Sequence, residues 1–216
     1  MAERPLLPNG LPDVQRLITT HDSSGKAIFS KDLPSESSFR QVSLGANFFL
    51  GYTTKGFPVD LNADKADAVP KDVQSYEKDL NSPPGGLSIT NGTLGLFLRS
   101  EVILILEVSN LGTALRFVDF APSKEPYMHR TESIDYGVVL EGVMELILDS
   151  GEKRIMKRGD VCVQRGTMHA WKNITENEGW ARMLFTLVAA EKVVVGGQGL
   201  GEDLPGRIGD KGPGNN

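Results

Sequence analysis

From Leu87 to Ala190 the chain is a succession of short apolar runs, among them "ALRFVDF", "YGVVLEG", "VMELILD", "DVCVQ" and "ARMLFTLVAA", separated by segments that carry Gly, Asp, Asn and Ser. Turn signals at intervals of roughly 8 to 12 residues mark a β-sandwich or β-barrel. No amphipathic helical stretch stands between the runs, so alternating βαβ architecture is excluded and a closed or double-sheet antiparallel fold remains. The 24 glycines and 12 prolines among 216 residues agree with a turn-rich chain. That length suits one core with decorations.

The chain before these runs divides by composition. Residues 1–14 are proline-rich and read as a flexible arm. Residues 15–113 read as a β extension with loops: two short strands around the polar turn at His21, a strand pair bent at Gly45, and one short helix near "VQSYEKDL". Residues 114–195 form the barrel core, and the glycine-rich residues 196–216 read as a flexible tail. A net charge of -5 with no Lys/Arg block argues against nucleic acid as a partner. No apolar run reaches signal-peptide length or the roughly 18 to 20 residues of a membrane span, so the chain reads as soluble and without a membrane partner. The lone Cys162, inside the apolar "VCV", reads as an inert buried thiol, and the compartment as cytoplasmic.

Side chains alternate across a strand, so His129 and Thr131 share one face, and so do His169, Trp171 and Asn173. Asp135 opens the next strand after His129. If the sheet rolls so that these strands face one cavity, His129, Asp135 and His169 supply two imidazoles and a carboxylate, a set that leaves positions open on an iron-type metal. Trp171 and Phe117 read as core packing or as an aromatic cavity wall. Arg182 reads as an anchor for a substrate carboxylate or as a surface ion pair. Tyr136 has the opposite parity to Asp135 and is not assigned to the cavity.

"HRTESIDYGVVLEG" and "GDVCVQRGTMHAWKN" resemble the two motifs of the cupin superfamily, through His129, Thr131, Asp135 and Gly142 in the first and Gly159, Gly166, His169 and Asn173 in the second. The resemblance implies an all-β double-stranded β-helix, a jelly-roll barrel whose mouth holds a divalent metal and a small molecule. The chain departs from the pattern where Thr131 replaces the second histidine, Asp135 the usual Glu, and Gln164 a proline. These departures leave at most a three-ligand site, with Thr131 and Gln164 as catalytic groups orienting substrate or water. From about Arg16 to Val195 the chain is similar to a narrower group of cupins found in fungi and bacteria, several encoded in fungal polyketide clusters. The run from Leu94 to Thr113 interrupts that similarity, as an extra hairpin or as an intron read through.

The resemblance implies a small-molecule enzyme of polyketide-like metabolism. A metal (Fe, Mn, Ni or Zn) would assist isomerisation, dehydration or decarboxylation through an enolate, and the chain would form a homodimer paired through its N-terminal extension. The alternatives are an Fe(II)-dependent oxygenase and a metal-free binding module.

Overall fold

The computed structural model describes residues 6, 8–43, 45–65, 68–81 and 112–204. Two short strands, β1 (Thr19–His21) and β2 (Ala27–Phe29), form a hairpin around the His21 turn. β3 (Arg40–Ser43) and β4 (Ala46–Lys55) follow, then the helix α1 (Lys71–Asn81) where the sequence places one. Most of the 94–113 run lies outside the described residues; its last two, Gly112 and Thr113, open β5 (Gly112–Phe120). The remaining strands are β6 (Ser133–Glu141), β7 (Val143–Leu148), β8 (Lys153–Lys157), β9 (Val161–Arg165), β10 (His169–Asn173), β11 (Ala181–Ala189), β12 (Val193–Val195) and β13 (Gln198–Leu200).

Among the described residues all strand pairings are antiparallel. A six-stranded sheet runs β3-β4-β5-β11-β6-β9, and a three-stranded sheet runs β10-β7-β8. The two face each other, as a jelly roll requires. Gly142, at φ +80°, makes the turn from β6 to β7 that carries the chain between sheets. A Cβ there would lie 2.8 Å from that of Ala181, so the position needs glycine on both backbone and packing grounds.

The inner face of the six-stranded sheet contributes Ala114, Val118, Val139, Met183, Phe185 and Leu187 to one core cluster with Met144, Met156 and Trp171 of the facing sheet. Burying each such large side chain is worth about 1.5–3 kcal/mol. Trp171 meets Phe185 edge-on across the lumen at 5.6 Å between ring centroids.

The outer face over β4, β5 and β11 is also covered, because α1 and the N-terminal segment pack there. Tyr76 of α1 is fully buried and donates to the Leu50 carbonyl at 2.6 Å. Asn9 donates to Asp119 at 2.6 Å, and the Pro12 carbonyl accepts from Arg182. The segment read from composition as a flexible arm is therefore tied down at its distal half by a buried ion pair.

The described residues of the segment read as a flexible tail, 196–204, carry backbone pairing. Val193–Val195 pairs with Gln198–Leu200 around two glycines at positive φ, and Asp203 exchanges both backbone hydrogen bonds with Arg130. Among the described residues no helix is long and apolar enough to cross a membrane.

Candidate functional site

The lumen is apolar at one end and polar at the other, because of what the sequence places on each inward row. On β6 the inward residues from the polar end are Ser133, Asp135, Gly137 and Val139, and on β10 they are His169, Trp171 and Asn173. Residues just before β6 extend the three-stranded sheet: His129 and His169 are opposed across an isolated bridge and exchange both backbone hydrogen bonds, at 2.8 and 2.9 Å. Residues 40 apart in the sequence numbering thus meet at the mouth, with imidazole centroids 4.2 Å apart.

Each imidazole is oriented by its own strand. His129 Nδ1 lies 3.0 Å from the Tyr127 carbonyl, and His169 Nδ1 lies 2.9 Å from the Thr167 carbonyl. A carbonyl only accepts, so both Nδ1 atoms carry the proton and both Nε2 atoms keep a free lone pair. Burial lowers the pKa of His129, and burial together with the neighbouring His129 pushes His169 down to about 3. Both rings are neutral at neutral pH.

Thr131, Ser133 and Asp135 alternate along one face and are bonded to one another. Ser133 Oγ donates to Asp135 Oδ1 at 2.6 Å and lies 2.9 Å from Thr131 Oγ1, which is 3.4 Å from Asp135 Oδ2. Burial raises Asp135 to about 6, against the lowering effect of these bonds and of Arg116. Gln164 stands directly opposite Asp135 in the β6–β9 ladder. It is 4% exposed, and among the described residues neither polar atom of its amide has a hydrogen-bond partner.

A metal on His129, Asp135 and His169 requires three donors to converge. The imidazoles converge, but the carboxylate is drawn to Ser133 and Thr131, and among the described residues no three His, Cys, Asp or Glu side chains gather closely enough to hold an ion. The donor set does not fit the three-ligand centre expected from the sequence. An Asp in place of a longer Glu is captured by the hydroxyl two residues before it on the same face.

Two residues expected against the substrate lie elsewhere. Phe117 stacks on Phe49 on the outer face of the sheet, with centroids 5.7 Å apart, under α1 and the N-terminal segment. Arg182 is 4% exposed on that same outer side and holds Asp119 through two bonds, Nε to Oδ1 at 2.5 Å and Nη2 to Oδ2 at 2.8 Å, with its guanidinium 4.8 Å over Phe39. Asp119 is its cross-strand partner in the β5–β11 ladder. Trp171 lies beside the imidazoles, edge-on to His169 at 6.1 Å. Tyr136 points outward and is exposed, as its parity requires.

Arg116 was missed by the sequence reading. It sits on the inward row between Ala114 and Val118, 6% exposed, with its guanidinium 5.3 Å over the Phe48 ring. Burial pulls its pKa to about 10 and Asp135 opposes that fall, so it stays charged at neutral pH. Parity in "ALRFVDF" separates Arg116 from Phe117 but does not say which faces the lumen.

A cavity of about 240 Å³ lies between Thr131–Ile134, Gly166 and the β12–β13 hairpin, beside the mouth. A larger one of about 360 Å³ lies outside the barrel, between Pro12–Val14 and the β6–β7 turn region, away from the imidazoles.

Residues 116–186 match the family model described as "Cupin domain". The chain is 39% identical over 194 residues to oryzines biosynthesis cluster protein J of Aspergillus oryzae, spanning 89% of this chain and 92% of that protein. It is 40% identical over 186 residues to phomopsin biosynthesis cluster protein D of Diaporthe leptostromiformis, spanning 86% and 84%. It is 37% identical over 193 residues to the cupin-domain-containing oxidoreductase fogC of Aspergillus ruber, spanning 88% and 79%.

Proposed function

The chain belongs to the cupin family, and from that premise we propose that it is a small-molecule enzyme of specialised metabolism that moves a proton at a carbon next to a carbonyl. The observation that carries this reading is the Asp135 carboxyl, buried at the polar end of the lumen and held by Ser133 and Thr131. A base must be close to its proton and matched to the working pH. Asp135, near 6, is a stronger base than a solvated carboxylate and is still largely ionised at neutral pH.

In this reading Asp135 takes the proton, and the enolate formed is reprotonated at another carbon, an isomerisation, or expels a β-hydroxyl group, a dehydration; decarboxylation reaches an enolate by loss of carbon dioxide in place of the proton. The free Nε2 atoms of His129 and His169 accept hydrogen bonds from a substrate hydroxyl or enol and set its orientation at the mouth. Trp171 and Phe185 form the apolar floor beneath it. The names of these relatives, two from biosynthesis clusters and one an oxidoreductase, support a role in specialised metabolism without naming a substrate.

The test is hydrogen–deuterium exchange in D₂O, followed by NMR, on a panel of β-keto acids, β-keto esters and 1,3-diketones that includes acetoacetate. Wild type is expected to accelerate α-proton exchange of at least one probe, and Asp135→Asn to lower that rate by about 10²–10⁴-fold, the usual worth of a positioned base. Exchange at the buffer rate across the panel, or an unaffected Asp135→Asn, refutes the reading.

A further inference from the structure

Two polar groups beside Asp135 are left without hydrogen-bond partners among the described residues. Among the described residues Arg116 has no carboxylate within ion-pair distance and no hydrogen bond, although it is buried. The Gln164 amide has neither its donor nor its acceptor engaged. A buried charge is normally paired and a buried amide normally bonded, because leaving either unmatched costs the whole desolvation of the group. Arg116 and Gln164 approach Asp135 from opposite sides of β6: Gln164 on the neighbouring β9, and Arg116 from β5, beyond β11.

The unmet capacity has a sign. A guanidinium offers five N–H donors and an amide nitrogen two, against one free acceptor, the Gln164 carbonyl oxygen. What satisfies this set is a planar, acceptor-rich, negatively charged group with a donor close by. A carboxylate matches the guanidinium fork, and an adjacent hydroxyl or enol O–H matches the Gln164 oxygen. Phosphate would bring a second full negative charge against Asp135 and lacks the planarity.

We infer that Arg116 and Gln164 form the anion-reading end of the site, and that the substrate is a hydroxy- or enol-bearing carboxylic acid whose carboxylate lies on the Arg116 guanidinium. This rests on the proton-transfer reading and narrows it. A carboxylate held on a guanidinium is stabilised as the anion, which opposes its loss as carbon dioxide. Isomerisation and dehydration then remain, with the carboxylate as the handle rather than the leaving group.

The test uses benzoate against its neutral isostere benzamide, by ligand-observed NMR and titration calorimetry on the full chain. Benzoate has no exchangeable α-proton, so its binding is independent of the chemistry at Asp135. Wild type is expected to bind benzoate at least about ten-fold more tightly than benzamide, the scale of a charge-assisted pair. Arg116→Met is expected to lose that preference and Arg116→Lys to keep part of it, while Gln164→Leu is expected to leave benzoate little changed and to weaken salicylate, which adds the neighbouring hydroxyl. Removing a buried cation that makes no hydrogen bond or close ion pair relieves its desolvation, and the melting temperature of Arg116→Met without ligand is expected to equal or exceed wild type. Asp135→Asn is expected to bind benzoate at least as well as wild type while losing proton exchange, which separates the two readings. No benzoate binding by wild type, equal binding of benzoate and benzamide, or unchanged benzoate binding by Arg116→Met each overturns the inference.

Discussion

Arg182→Met tests whether this arginine holds the fold or the substrate. In the structure its guanidinium donates to both oxygens of Asp119, donates to the Pro12 carbonyl and covers Phe39. Methionine keeps most of the apolar stem and removes the charge, leaving Asp119, at 0% exposure, with the Asn9 amide as its remaining side-chain partner among the described residues. Breaking a buried pair from one side costs about 3–5 kcal/mol, because the remaining charge is desolvated without compensation. For a chain of this size each kcal/mol lowers the melting temperature by about 2–4 °C, so the expected fall is about 6–20 °C by calorimetry or circular dichroism. Asp119→Leu in the same chain is expected to restore a large part, since removing both partners leaves no orphan charge. Benzoate affinity is expected to stay within two-fold of wild type. A fall below about 2 °C, additivity of the two substitutions, or loss of benzoate binding without loss of stability would refute the structural role.

Two further outcomes are expected. Asp135 is raised from 3.8 to about 6 in the folded chain, so the folded state binds its proton more tightly than the unfolded one. That contribution is present below about pH 4 and is lost as pH rises through about 6, at about 1.4 kcal/mol per pKa unit, or roughly 3 kcal/mol in all. His169, depressed to about 3, works in the opposite direction over an overlapping range, so the effect is read as the stability of wild type minus Asp135→Asn in urea titrations at pH 4 and pH 7. The difference is expected to fall with pH, and a constant or rising difference contradicts the assignment. Dialysis against a chelator is expected to leave proton exchange unchanged, because the donors do not assemble a three-ligand centre. Activity lost to the chelator and restored by one divalent ion per chain would show that the Asp135 carboxylate turns towards the imidazoles.

The parts legible in the sequence are those fixed by local periodicity. Strand alternation puts His129 with Thr131 and His169 with Trp171, and two motifs of known spacing bring the strands to one mouth. The same alternation links Thr131, Ser133 and Asp135, though the capture of the carboxyl by Ser133 depends on a side-chain geometry that spacing does not carry. What was not legible depends on layers. β5 is buried on both faces, so parity separates Phe117 from Arg116 without saying which faces the lumen, and only the cover of α1 and residues 9–16 over the outer face decides it. Arg182 had the chemistry expected of a carboxylate anchor, but its partner Asp119, 63 residues away, becomes visible only through the β5–β11 register. In the tail, the glycine content hid a hairpin whose Gly196-Gly197 turn is itself a strand-pairing signal.

The backbone bridge between His129 and His169 also bears on how such a chain can change length over evolution. A ladder repeats every two residues, so one residue gained or lost within either strand next to the bridge would turn an imidazole from the lumen to the outside. The chain between them passes through the exposed turn at Ser150-Gly151, which joins β7 to β8 and can lengthen without shifting that register. Descendants of this sequence can therefore acquire insertions at the far tip of the hairpin and keep the paired histidines, whereas single-residue indels beside the histidines are the ones selection must remove.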